Sequence, residues 1–351
     1  MSIIEETNRE RNPKRGTRGI ELEYGWAHRH GSFGLPYGQQ FGTNLLVLRN
    51  ARIGNRPLAE LVERLFCPSA HVYSFLRLLM IPFLHLGPLT IPTFGLMVAT
   101  ALFVSAYVLQ ADFDRRRTQL ETIKGYAGKR DEGFLVIGIA GIVGLAGARL
   151  YHVLESPSEF FADPWPQLFS RFGFAWFGGF LGGFVALLFL ARRLKIPMLE
   201  FMDICSPAAC VGYAIGRIGC LLSGDGDYGM PTSLPWGMSF PNGVVPTTER
   251  VHPTPLYEFF IWLAIAWVLW RMGTNYVREP LTKGAKGVIF CWYLIFTGIA
   301  RFLIEIIRIN PRSFFGMSNA QAASLVSIAL GAGLLVHVKS QFRTMKKTAT
   351  A

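Results

Sequence analysis

Between Leu89 and Leu109 the chain carries no Asp, Glu, Lys or Arg. About 20 apolar residues in a helix are what it takes to cross a ~30 Å hydrocarbon layer. Inside lipid such a segment must be helical, because every backbone N–H and C=O has to be bonded internally. Six segments of similar character follow: Gly133–Val153, Phe172–Ala191, Phe201–Leu222, Tyr257–Trp270, Gly287–Ile307 and Ala320–Val338. The pattern predicts an all-α, polytopic integral membrane protein with seven transmembrane helices. Only 17% of the residues are charged, against about a quarter in soluble domains.

The rest of the chain is organised around these spans. Residues 1–70 read as a polar N-terminal extension, rich in Arg, Gly and Asn and expected to be partly disordered. No cleavable signal sequence is read at the start, since residues 1–20 lack an apolar core. Residues 71–88 are apolar but interrupted by Arg77, Pro82 and His85, which suits an interfacial or re-entrant arm. The membrane domain covers 89–340, and 341–351 form a basic tail. The five cysteines (Cys67, Cys205, Cys210, Cys220 and Cys291) have no metal-ligand spacing with a nearby histidine, so no metal site is expected.

Net charge is +12. No basic stripe follows a polar face, so a nucleic-acid partner is not expected; basic inner loops account for the excess. Lys and Arg number 6, 3, 4 and 4 after spans one, three, five and seven, and 1, 1 and 2 after spans two, four and six. The positive-inside rule then puts the first set and the C-terminus in the cytoplasm, in a bacterial inner membrane. Seven spans leave the N-terminus outside despite eleven basic residues before residue 78; a crossing by residues 71–88 would bring it inside.

That orientation gathers the ionisable residues of the spans near the outer leaflet, where an intramembrane charge is a functional-site hypothesis. Arg149, Arg217 and Arg301 come late in spans two, four and six. Glu305 and Arg308 follow Arg301 at i+4 and i+7, on one helical face. His252 and Tyr257 enter span five at the same level. Arginine grips phosphate through a planar fork, so the cluster suits a lipid headgroup. Taken singly, Arg149 and Arg308 could instead snorkel, and Arg301 with Glu305 could be a structural ion pair. Arg217 lies in Gly216-Arg217-Ile218-Gly219-Cys220-Leu221-Leu222-Ser223-Gly224-Asp225-Gly226-Asp227, a span ending in a Gly-rich turn with two carboxylates.

This stretch resembles the signature of the prolipoprotein diacylglyceryl transferase family, a Gly-Arg-x-Gly-Asn-Phe-x-Asn-x-Glu run closing a span. Further resemblances follow in order: Gly87-Pro88-Leu89, Phe94-Gly95-Leu96, Gly147-Ala148-Arg149-Leu150, Gly178-Gly179-Phe180-Leu181-Gly182-Gly183, Asp203, Pro207, Leu234-Pro235-Trp236-Gly237, His252-Pro253-Thr254-x-Leu256-Tyr257-Glu258, Arg301-Phe302-x-x-Glu305-x-x-Arg308, and Gln321 with Ser327. The resemblance implies transfer of the diacylglyceryl group of phosphatidylglycerol to the lipobox cysteine of prolipoproteins, without a cofactor. It implies Arg217 and Arg301 as catalytic, with Asp225 and His252 the candidate bases for the thiol unless the arginine field alone lowers its pKa. Arg149, Tyr257, Glu305, Arg308, Gly216, Gly219, Ser223, Gly178 and Gly179 are the implied substrate-binding residues. Cys220 and Ser223 stand where the family has asparagines, Asp225 where it has glutamate, and Phe177 where it has a histidine. A non-catalytic lipid-binding paralogue is the alternative; a transporter is opposed by the lack of an inverted repeat.

Overall fold

Among the described residues, seven helices are long and apolar enough to cross a membrane. The protein is seen here in a computed structural model that describes residues 52–53, 56–57, 81–128, 130–155, 157–162, 164–165, 175–278 and 285–350. The chain divides into two units, residues 1–65 and 66–351. Within the first, β1 (Arg52–Ile53) pairs antiparallel with β2 (Arg56–Pro57). The rest of the expected extension, and residues 71–80 of the expected arm, lie outside the described residues. The described end of that arm is a hairpin, β3 (Phe83–Leu86) against β4 (Leu89–Pro92), turning at Gly87 with φ +62°. The first span therefore begins at Thr93 rather than Leu89.

Its helix, α1 (Thr93–Glu121), runs well past the expected end at Leu109. The charges met there are neutralised locally. Asp112 pairs with Arg115 at 2.8 Å and Arg116 at 2.5 Å. Arg115 also donates to the Trp270 carbonyl at 2.9 Å and lies over its ring at 4.0 Å. Next come α2 (Glu132–Glu155), a short α3 (Pro157–Ala162), and α4 (Trp176–Leu194), which Lys195 ends in a left-handed turn. Then follow α5 (Met198–Ser223), α6 (Thr254–Arg278), α7 (Val288–Ile307) and α8 (Asn319–Thr350). A reciprocal cap starts α8: Gln321 N–H donates to Ser318 Oγ at 3.2 Å, and Ser318 N–H to Gln321 Oε1 at 3.1 Å.

Helix α5 is the centre of the bundle, packed against α1, α6 and α7, while α2 packs on α1 and α4 and α8 packs on α7. One buried cluster joins Leu109, Phe113, Phe201 and Ile204; a second joins Cys210, Trp262, Leu269 and Ile289. Large apolar side chains such as Phe103, Ile142, Phe189 and Trp267 stay on the outside, as lipid requires.

The glycines of α2 and α4 let two backbones touch. A Cβ on Gly178 would stand 2.3 Å from the Gly147 carbonyl oxygen and from Tyr151 Cβ. Gly178→Ala is therefore expected to force α2 and α4 apart and to cost about 1–3 kcal/mol, the usual penalty of overpacking. Thermal unfolding in detergent measures it; an unchanged midpoint would show that the contact yields freely.

One end of the bundle collects the start of α1, the end of α5, the start of α6 and the end of α7. The segment from Gly224 to Pro253 folds over it. There β5 (Met238–Phe240) pairs with β6 (Thr247–Val251), Pro231 bridges to Val251, and Gly229 bridges to Arg308. This small sheet fixes the side chains described next.

Candidate active site

Tyr213 and Arg217 stand one turn apart on α5, so both reach toward α6. The Tyr213 hydroxyl donates to Glu258 Oε1 at 2.8 Å and accepts from Arg217 Nη2 at 2.6 Å. Arg217 Nε faces Glu258 Oε2 at 3.2 Å, and its Nη1 meets the Asp227 carboxylate. From α7, Arg301 Nη1 donates to Glu258 Oε1 at 3.3 Å, and its Nη2 lies 2.9 Å from Glu305 Oε2. Arg308 closes the circuit: it meets Asp227 and stands 3.7 Å from Glu258 and 3.8 Å from Glu305. Asn310 Nδ2 holds the other Glu305 oxygen at 2.5 Å.

Three arginines are thus interleaved with three carboxylates, Asp227, Glu258 and Glu305. Glu258 is the hub, 1% exposed and facing all three guanidiniums. Glu258, Asp227 and Tyr213 are site residues beyond those expected from the sequence. Signals for them existed: Glu258 is a charge just inside a span, Tyr213 lies at i−4 from Arg217, and Asp227 is the second carboxylate of the turn. Arg308 also differs from expectation. Helix α7 ends at Ile307, and Arg308 is extended (φ −81°, ψ 154°), held by its bridge to Gly229 rather than by helical phase. Hydrogen bonding is incomplete: Arg308 Nε and Nη1, Glu258 Oε2 and Glu305 Oε2 are buried without a hydrogen-bond partner. These atoms meet one another and the neighbouring guanidiniums as ion pairs instead.

Cys220 Sγ and the carboxylates of Asp225 and Asp227 lie within 4.8 Å of one another, and Arg217 Nη1 is 3.6 Å from that sulfur. Two guanidiniums on Asp227 oppose a cation there. The two carboxyls differ in electrostatics. Burial raises Asp225, and the charge of Asp227 adds to this. Burial would raise Asp227 too, but Arg217 and Arg308 outweigh it and hold it below the usual carboxylate range. Asp225 is consequently the more basic of the pair.

The other expected residues are placed as follows. His252 Nδ1 lies 3.3 Å from the Tyr257 hydroxyl, which accepts from Trp236 Nε1 at 2.7 Å; these three form a separate polar string at the rim. Arg149 is buried on α2. Ser223 donates to the Cys220 carbonyl at 3.2 Å and so caps its own helix. Gly219 packs on Phe94 and Met97 of α1; Gly178 and Gly179 pack on α2. A Cβ on Gly216 would meet nothing within 4 Å. Phe177, 65% exposed, leans on Tyr151 with ring centres 6.5 Å apart.

Two apolar recesses lie between the helices, and the first reaches the network at Tyr213. One, about 360 Å³, lies between α1, α2 and α5, with Val98 and Leu102 at one side and Tyr213 and Gly216 among its lining residues. The other, about 520 Å³, lies between α6 and α7 along Ile261, Ile265, Phe296 and Ile304. The charged network therefore adjoins a greasy groove at Tyr213, the profile of a site for an anionic amphiphile.

Comparison with known proteins agrees. The family described as prolipoprotein diacylglyceryl transferase matches residues 82–337. Among similar proteins, the phosphatidylglycerol–prolipoprotein diacylglyceryl transferase of Cupriavidus pinatubonensis is 34% identical over 264 residues, covering 72% of this chain and 89% of the relative. The enzyme of the same name from Synechococcus elongatus is 32% identical over 270 residues, covering 74% and 88%. That from Clostridium tetani is 28% identical over 241 residues, covering 68% and 89%.

Proposed function

The chain belongs to the prolipoprotein diacylglyceryl transferase family, and from that premise we infer that it moves the diacylglyceryl group of phosphatidylglycerol onto prolipoproteins. The observation that carries this for the chain itself is the cluster of Arg217, Arg301 and Arg308, joined through Tyr213 to an apolar groove. The acyl chains take the groove and the phosphate meets the arginines. The acceptor is the lipobox cysteine. Its thiolate attacks the sn-3 carbon of the glyceryl group, a C–S bond forms, and the C–O bond breaks with its electron pair going to the phosphate oxygen. Arginines fixed beside that oxygen stabilise the charge as it develops. Glycerol phosphate leaves. No redox change occurs, and the thiol proton is the one group still to be placed.

Asp225 is the base we assign to it. Burial raises it, it adjoins Cys220 and Arg217, and it takes the role that Phe177 cannot perform. His252, bonded into the Tyr257–Trp236 string, is the second candidate. The test is mass-spectrometric detection of thioether product from a lipobox peptide and phosphatidylglycerol, measured against pH. Activity of the parent is expected to rise with pH through a limb above the ordinary carboxylate range, because the base acts deprotonated and its proton is held more tightly than usual. Asp225→Asn is expected to remove that limb and His252→Ala to keep it; the reverse result transfers the role to His252. The changes at Phe177, Cys220 and Ser223 favour one competing reading, a lipid-binding paralogue. Lipid binding without product under any condition would establish that reading instead.

We place the site at the outer leaflet of the bacterial inner membrane, with residues 1–70 a polar extension and 341–351 a basic cytoplasmic tail. Loop charge supports this orientation. A cysteine replacing Ser239 in β5 is expected to react with an impermeant thiol reagent in intact cells stripped of their outer membrane. Reaction only after the membrane is opened reverses the orientation.

A further inference from the structure

Among the six charges of the network, Asp227 differs from the rest. Glu258 and Glu305 come from α6 and α7 and are 1% exposed, whereas Asp227 comes from a loop and its side chain is 31% exposed. One of its oxygens meets Arg217 and the other Arg308. Two oxygens of one anion spanning two guanidiniums is the geometry with which arginines hold a phosphate. The carboxylate arrives on a Gly-rich turn: Gly224 and Gly226 on either side of Asp225 have φ of +59° and +92°, conformations open to glycine, and the Asp227 side chain can turn away while its backbone carbonyl stays bonded to Thr254. Behind it, Arg308 Nη1 and Nε make no hydrogen bond and face Glu258 and Glu305 only as ion pairs at 3.7 and 3.8 Å.

We propose that Asp227 is a displaceable stand-in for the lipid phosphate, clamping Arg217 and Arg308 in the absence of lipid and exchanged for the phosphate when phosphatidylglycerol enters. This rests on the reading above that the arginines receive the lipid phosphate. Two consequences follow. The exchange preserves charge balance, so the buried arginines are never left uncompensated, a state that is costly in low dielectric. It also discriminates between anions. A phospholipid gains burial of its acyl chains as it expels the carboxylate. A free phosphate gains none, so Asp227 keeps soluble anions out of a site that they would otherwise occupy.

The test compares the parent with Asp227→Asn in phosphate-free detergent, titrating inorganic phosphate alone and dioleoyl phosphatidylglycerol alone. With the competing charge removed, phosphatidylglycerol is expected to bind roughly ten- to a hundredfold more tightly, the range for one charge-assisted hydrogen bond. Inorganic phosphate is expected to bind and thermally stabilise the variant while leaving the parent unaffected. Equal affinities in the two proteins overturn the proposal, since Asp227 would then remain in place beside the lipid. A second measurement needs only the parent. Backbone hydrogen exchange of residues 224–229 is expected to quicken on addition of phosphatidylglycerol, against the usual slowing on ligand binding; slowing or no change overturns displacement. An Arg217→Ala arm separates the two layers. If that variant binds phosphatidylglycerol like the parent, the phosphate assignment itself has failed. If it binds poorly while Asp227→Asn matches the parent, only the exchange has.

Discussion

Arg217→Ala is expected to lower diacylglyceryl transfer by at least two to three powers of ten, the loss typical of removing one preorganised donor from developing charge. Arg217 faces the carboxylates of Glu258 and Asp227, the Tyr213 hydroxyl and the Cys220 sulfur. Lysine is expected to restore little, because a single ammonium lacks the fork that spans Glu258, Tyr213 and the turn at once. The measurement is the rate of thioether formation on purified protein whose helical content and unfolding midpoint match the parent. Transfer within a few fold of the parent would remove Arg217 from the reaction.

Glu258→Ala is expected to act differently, through stability as well as rate. Its carboxylate is the sole member of the network that faces all three arginines, and it also accepts from Tyr213. Truncating it leaves buried positive charge with too few partners, a change that typically costs about 3–5 kcal/mol. Asp227 and Glu305 each still face arginines, so the loss should fall at the lower end. Glu258→Gln keeps an oxygen for Tyr213 but not the charge, and is expected to recover part of the stability. Thermal unfolding in detergent separates these cases. An alanine variant as stable as the parent and merely inactive would make Glu258 a substrate-facing group instead of the residue that positions the arginines.

The two predictions differ because of where their signals lie. Arg217 was legible in the sequence: an arginine in an apolar span among glycines is anomalous against its immediate neighbours. Glu258 was visible as a letter of the His-Pro-Thr-x-Leu-Tyr-Glu run, yet nothing local distinguishes it from Tyr257 beside it. On α6 those neighbours point to different sides; Tyr257 meets His252 and Trp236, while Glu258 meets the arginines. The expectation of an arginine cluster awaiting an anion needed the same correction. Each arginine already faces carboxylates, and Arg308 is positioned by the Gly229 bridge after its helix has ended.

Boundaries show the same division. The sequence reading ended the first span at Leu109 and began it at Leu89, since a hydropathy pattern breaks at Asp112 and does not see a hairpin. The structure starts α1 at Thr93 because β3 and β4 pair before it. It carries α1 on to Glu121 because Arg115 and Arg116 neutralise Asp112 against α6.

Seven apolar helices were thus determined by the sequence alone. The energy of placing a helix in lipid sums over its own consecutive residues, so a one-dimensional reading suffices. The partners of Arg217, the hub role of Glu258 and the place of Asp227 between two guanidiniums were decided only by tertiary structure. Coulomb energy depends on the separation of side chains brought from α5, α6, α7 and the turn between them, and those separations exist only once the helices have packed.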